Sequence, residues 1–180
     1  MATSVAPAQV GAAKLEGDAL GHAAVPACAG TTGIVAGIAR HARPKAPMEL
    51  IDHATITFAG GVQGDFRGAM KGKPYKRQVT LMEASDWATA QALVGHNIPW
   101  QERRANLLVE GLDLPQTAGA RLRVGTALLE VTVETDPCER MEKLAEGLRA
   151  ALTPDWRGGV CTKVVEEGAI AVGDTIRIEE

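Results

Sequence analysis

From Thr32 onward, apolar and polar positions exchange at the two-residue period of half-buried strands. TGIVAGIAR (32–40) reads as a first strand, with Gly33 and Gly37 permitting a bend or bulge. HARPKAPM (41–48) follows as a polar loop closed by Pro44 and Pro47. ATITF (54–58) alternates as a second strand, Gly60-Gly61 and Gly64-Asp65 mark turns, and RQVTLM (77–82) is short and extended. The second half is denser still: ANLLVEG (105–111), ARLRVG (120–125), ALLEVTVET (127–135), GVCTKVVEEG (159–168) and DTIRIEE (174–180) all carry strand patterning.

Two segments depart from that period. Thr80-Leu81-Met82-Glu83 has the spacing of a capping box, predicting a helix from there to about Val94 with Trp87, Ala90, Leu93 and Val94 on one face. Pro99 then opens a short turn toward Arg104. After Cys138, the positions Met141, Leu144, Ala145, Leu148, Ala151 and Leu152 recur at helical spacing until Pro154 stops them. Many short strands with few helices predict a mainly β, α+β fold: a β-barrel with helices packed at its ends. No P-loop or GxGxxG occurs, and nothing suggests a βαβ nucleotide fold.

Residues 1–31, rich in Ala, Gly and Pro, carry no sustained period and read as a flexible extension, leaving 32–180 as one domain. Composition narrows the function. A net charge of −3 and no basic stripe with interleaved aromatics argue against nucleic acid as a partner. No apolar run approaches the roughly 20 residues that span a bilayer, and the N-terminus lacks the pattern of a secretory signal, so a cytoplasmic protein is expected. The three cysteines, Cys28, Cys138 and Cys161, form neither a disulfide framework nor a zinc-spaced cluster.

Cys138 stands at the join of a β-branched run and the second helical segment, behind Asp136-Pro137. A sulfur beside free backbone amides at a helix start can have its thiol pKa lowered, and Arg140 adds positive charge, whereas Asp136 and Glu139 oppose it. A half-buried, unreactive packing residue is the other option, and position alone does not choose. Cys161, inside a strand, reads as packing, and Cys28 as incidental. Arg77-Gln78 and Arg103-Arg104-Ala105-Asn106 place donors at strand starts. Guanidinium forks suit phosphate and the amides suit a heterocycle edge, but each could equally be a solvated loop group. Asp65 could stabilise its own turn, and Arg157 before Gly158-Gly159 could hold an anion or merely lead into a strand. The four histidines read as structural or exposed.

The order GIVAGI, GGVQGDFRG, KRQVTLME, RRANLLVEGLDLP, GTALLEVTVETDPCERM, RGGVCTKVVEEGAIAVGDTI resembles the MOSC domain family, related to the C-terminal part of molybdenum-cofactor sulfurases. The resemblance runs from about Gly33 to Glu180 and is nearest to its small stand-alone bacterial type. It implies a predominantly β barrel with the family's cysteine at Cys138. In relatives that reduce N-hydroxylated compounds that cysteine ligates molybdenum of a pterin cofactor, molybdopterin. In sulfurase-type relatives it is proposed to carry sulfur, which implies a cysteine desulfurase as partner, where the reductases imply a redox partner. Arg77 and Arg104 are then expected to hold the pterin phosphate. Gln78 and Arg140 are expected among the cofactor-binding residues, Asp65 and Asn106 to shape the pocket, and Arg157 to lie near its mouth. The family is also associated with pyridoxal phosphate, for which no Schiff-base lysine stands out here. The separate N-terminal barrel of larger reductases and the pyridoxal-lysine domain of full sulfurases find no counterpart in these 180 residues.

Overall fold

The structure is a computed structural model that describes residues 31–68 and 76–179. The expected N-terminal extension, with Cys28, therefore lies outside the described residues except for Thr31. In chain order the strands are β1 (Thr32–Arg40), β2 (Glu49–Ile51), β3 (His53–Thr57), β4 (Gly61–Val62), β5 (Val79–Glu83), β6 (Leu107–Glu110), β7 (Arg121–Val124), β8 (Ala127–Glu134), β9 (Val160–Glu166), β10 (Gly168–Ala171) and β11 (Thr175–Glu179). The helices are α1 (Ala84–Val94), α2 (Glu139–Leu144) and α3 (Leu148–Ala151), with 3₁₀ turns at Trp100–Arg103 and Pro154–Trp156.

Seven strands close on themselves in the order β11-β7-β8-β9-β5-β6-β1, with β1 returning to β11 through Thr32↔Arg177, Gly33↔Ile176 and Ile34↔Thr175. β2 extends the sheet beyond β1, and β10-β3-β4 form a second, three-stranded sheet. The expected barrel is what these residues build. The bend foreseen in the first strand falls between Val35 and Gly37, where the register against β6 shifts.

Alternation decides the core. Leu81, Leu107 and Val109 turn inward to join Val35, Ile38, Leu122, Leu129 and Ile176 in the barrel interior. Met82 and the partly buried Leu108, one position out of phase on β5 and β6, turn outward. There they meet Trp87, Ala90, Met141, Ala145, Leu148 and Leu152, so the helices cover the outer face of these two strands. β5 and β6 are parallel, and α1 is their crossover, because parallel neighbours need a connection of about a dozen or more residues. That β5–α1–β6 unit was not foreseen in the strand pattern.

Two helix expectations are corrected. The capping box does not form: Thr80 sits within β5, opposite Cys161 of β9, and its carbonyl accepts the Asn106 amide just before β6, so it does not stand at a helix start. Helix α1 starts at Ala84, and Glu83, its extended N-cap residue, makes no side-chain cap; its carboxylate accepts the Leu114 amide at 2.7 Å instead. The second helical segment is two helices. Ala145 is extended (φ −157°, ψ 141°) and Gly147 takes a left-handed φ of 79°, so the chain breaks between Leu144 and Leu148. The apolar period survives the break, since Met141, Ala145, Leu148 and Leu152 are all buried in one cluster. On α1, Trp87 and Ala90 are buried as expected, but Leu93 is 66% exposed.

Candidate functional site

Five segments remote in sequence converge on a cleft of about 410 Å³. The loop after β1 gives His41, Pro44 and Lys45; the turn after β4 gives Asp65, Phe66 and Arg67; the approach to β5 gives Arg77, and β5 itself Thr80. The 3₁₀ turn and the residues leading into β6 give Arg103, Arg104 and Asn106, and the β8–α2 junction gives Asp136, Cys138, Arg140 and Met141. Six lining side chains are cationic (Lys45, Arg67, Arg77, Arg103, Arg104 and Arg140) against the two carboxylates of Asp65 and Asp136. On a chain of net charge −3 this is a concentrated positive site.

Cys138 is the exposed N-cap residue of α2, with extended backbone (φ −103°, ψ 173°), and its carbonyl accepts the Met141 amide at 2.8 Å. Pro137, just before it, has its carbonyl held by Arg149 Nε at 3.2 Å. Arg140 donates to Glu102 Oε2 at 2.8 Å, tying the start of α2 to the 3₁₀ turn. Cys161 is buried on β9, its sulfur 3.1 Å from the Thr135 hydroxyl.

The other expected residues divide. Arg77 lines the cleft, its Nε 3.4 Å from Thr80 Oγ1. Arg104, at a left-handed φ of 65°, lines it too and donates to the Ala46 carbonyl at 3.0 Å. Burial lowers the Arg104 pKa from its usual value, with Arg140 adding repulsion. Asp65 and Asn106 reach the wall but spend their polar atoms on the frame. Asp65 is buried and accepts the amides of His41, Arg67 and Gly68, together with His41 Nδ1 at 2.8 Å. Asn106 accepts the Thr80 amide and donates to the Ala39 carbonyl, stitching β5, β6 and β1. Two residues stand elsewhere. Gln78 is buried inside the sheet, donating to Phe58 O at 2.7 Å and accepting from the Val164 amide, so its amide is satisfied away from the cleft. Arg157 pairs with Asp86 at 3.8 Å and donates to the Ala151 carbonyl, on the helical side of the molecule, and does not line the cleft mouth.

Sequence reasoning named Arg103 only as a donor at a strand start, read His41 as structural or exposed, and passed over Lys45 and Arg67. His41 is not free: its Nδ1 lies 2.8 Å from Asp65 Oδ1, and its backbone amide donates to the same oxygen. Arg103 is buried at 3% exposure, and burial, then the neighbouring Arg77, pushes its pKa down to about 10. Arginines in one cleft that are short of water and raise one another's energy are stabilised by an anion.

The MOSC domain family matches residues 55–177. Among solved structures, the chain is similar to the YuaD protein of Bacillus subtilis, at 19% identity and a TM-score of 0.68 over 82% of this chain and 95% of that one. It is also similar to YiiM of Geobacillus stearothermophilus, at 16% identity and a TM-score of 0.65 over 82% and 75% of the two chains. YiiM of Escherichia coli follows at 14% identity and a TM-score of 0.61, over 82% and 70%. No curated protein sequence matches the chain.

Proposed function

The chain belongs to the MOSC domain family, and from that premise we propose that its cleft binds a molybdenum-bearing pterin through the cofactor's phosphate and through the sulfur of Cys138, for the reduction of N-hydroxylated compounds. One observation carries this: the exposed thiol and six cationic side chains line the same cleft. The donor set fits the group. Among the described residues no three or more His, Cys, Asp or Glu side chains gather to hold a metal, so a metal at Cys138 brings its remaining ligands with a cofactor. A phosphate is the natural partner of clustered guanidinium groups, which pair with it by two donors at once.

Bound there, the cofactor supplies the electron-transfer chemistry that removes the hydroxyl oxygen of an N-hydroxylated substrate, with electrons from a redox partner. The protein's own work is holding. Arg77 and Arg104 take the phosphate, Cys138 supplies the ligating sulfur, and Asp65 and Asn106 keep the wall in shape through their backbone bonds. Arg140, tied to Glu102, keeps the start of α2 and so Cys138 at the cleft. Free Cys138 and Cys161 suit a reducing compartment, and we place the protein in the cytoplasm. Among the described residues no helix is long and apolar enough to cross a membrane.

The test is metal analysis of protein made in a cofactor-competent host. Stoichiometric molybdenum is expected in the wild type and in Cys161→Ser, with loss of both metal and reductase activity in Cys138→Ser. Molybdenum retained by Cys138→Ser, or activity in protein free of the metal, overturns the assignment. The exposure of Cys138 also favours a second reading, in which a cysteine desulfurase delivers a persulfide to it. That reading requires a mass gain of one sulfur on Cys138 alone.

A further inference from the structure

Arg103 is the unexplained group in this cleft. It lines the cavity, is 3% exposed, and is the one buried member of the six cationic residues that line it. Its Nη2 donates to two backbone carbonyls, Thr135 and Gly158, each at 2.8 Å. Its Nε is buried and, among the described residues, donates to nothing. A buried donor without a partner is uncommon, and an arginine is a strange choice if only a filler were needed.

The two carbonyls say what the group does. Thr135 ends the run from β8 and lies three residues before Cys138; Gly158 lies just before β9. The Thr135 amide is already bonded to Gly159 O at 2.8 Å. The guanidinium therefore closes the junction where β8 leaves β9 and the chain turns toward the cysteine. The junction is tight: a Cβ on Gly158 would meet Thr135 O at 2.4 Å and Arg103 Nη2 at 3.0 Å. Pro137 packs at the same place, 3.5 Å from that Cβ position.

We propose that Arg103 is a positioning residue for Cys138: it ties the Thr135 carbonyl, at the head of the segment leading to Cys138, to the Gly158 carbonyl before β9, while its charge helps hold an anion in the cleft. One side chain thus links what the cleft contains to where the sulfur sits. The anion half rests on the cleft's being an anion site; the clamp does not, and neither half needs molybdenum.

The experiment uses the full chain without cofactor, as wild type, Arg103→Gln and Arg103→Lys, with inorganic phosphate as the probe. Two quantities are read: hydrogen exchange of the segment 133–141, and protection of Cys138 from iodoacetamide by phosphate at constant ionic strength. In Arg103→Gln, exchange of 133–141 is expected to rise about tenfold or more while the β7–β11 pair keeps its wild-type exchange. The phosphate concentration giving half protection is expected to rise about tenfold as well. Arg103→Lys, which keeps the charge but loses the planar fork, should recover phosphate protection while leaving 133–141 faster than wild type. Wild-type exchange in 133–141 of Arg103→Gln overturns the clamp, and so does an equal rise in β7–β11, which would mean general loosening. If Arg103→Gln does not fold, Arg103→Lys decides: faster local exchange supports the clamp, and unchanged exchange removes it. Failure of phosphate to protect even the wild type counts against the anion cleft, and the exchange result still decides Arg103.

Discussion

At the scale of single residues, burial changes what a side chain can do, and Glu83 illustrates this outside the cleft. The carboxyl accepts the Leu114 amide between β5 and α1, and desolvation raises its pKa from 4.5 to about 7; Asp86 and Asp113 push the same way. The sign follows directly. A carboxyl that binds its proton more tightly when folded gives the folded state an advantage present below about pH 4.5 and lost as pH rises through about 7. Glu83→Gln keeps an oxygen for the Leu114 amide and cannot ionise. The expected outcome is a smaller fall in melting temperature between pH 5 and pH 8 for Glu83→Gln than for wild type, read by circular dichroism. Equal falls in the two proteins would mean that the group is not buried as described. The same physics hid Arg103 and misdirected Gln78. Both looked like loop donors in the sequence, and both are buried groups whose partners are backbone carbonyls and amides elsewhere in the fold.

At the scale of elements, the helices are legible as apolar periods but not as boundaries. Leu93 and Leu148 both fall on predicted apolar faces. Leu148, the first residue of α3, is fully buried in the cluster that α3 forms with α1 and α2, whereas Leu93 points to solvent at 66% exposure. Leu148→Ala is expected to cost about 2–5 kcal/mol and Leu93→Ala within about 0.5 kcal/mol of nothing, measured by urea unfolding. A cost for Leu93→Ala comparable to that for Leu148→Ala would contradict this packing. Eight of the strands were legible because alternation is enforced wherever one face is buried, and their density implied the barrel, whereas the short β2, β4 and β10 were not read. The place of Cys138 at a strand-to-helix junction was legible from Asp136-Pro137-Cys138, whereas its choice over Cys161 rested on the family resemblance. The rest of the cleft was not legible. Its walls come from residues 41–45, 65–67, 77–80, 103–106 and 136–141, and only the strand order brings them together. His41 and Lys45, in a stretch that reads as a plain polar loop, carry no local sign of that meeting.

At the scale of the whole molecule, closure is the governing fact. β1 and β11 are antiparallel neighbours, and Thr32 stands opposite Arg177, so the start and end of the barrel lie side by side. Until β11 docks, β1 and β7 lack the partner that β11 supplies to each, and Ile176, fully buried in the finished barrel, has nowhere to go. Deletion of 175–179 is therefore expected to abolish cooperative unfolding and drive the chain to aggregate. The order of the connections is expected to matter less than closure itself. A permutant that joins residue 179 to Thr31 by a short hairpin loop, and opens the chain between the exposed His96 and Asn97, keeps every strand pairing. It cuts only the crossover between α1 and the 3₁₀ turn, leaving all the cleft residues on intact segments. It should unfold in one cooperative transition and retain a Cys138 that is alkylated faster than Cys161, because one sulfur lies at the open cleft and the other inside the sheet. Both outcomes are read from a thermal melt and a mass-spectrometric time course. If the permutant fails to fold while the truncated chain folds, closure by β11 is not what holds this barrel together.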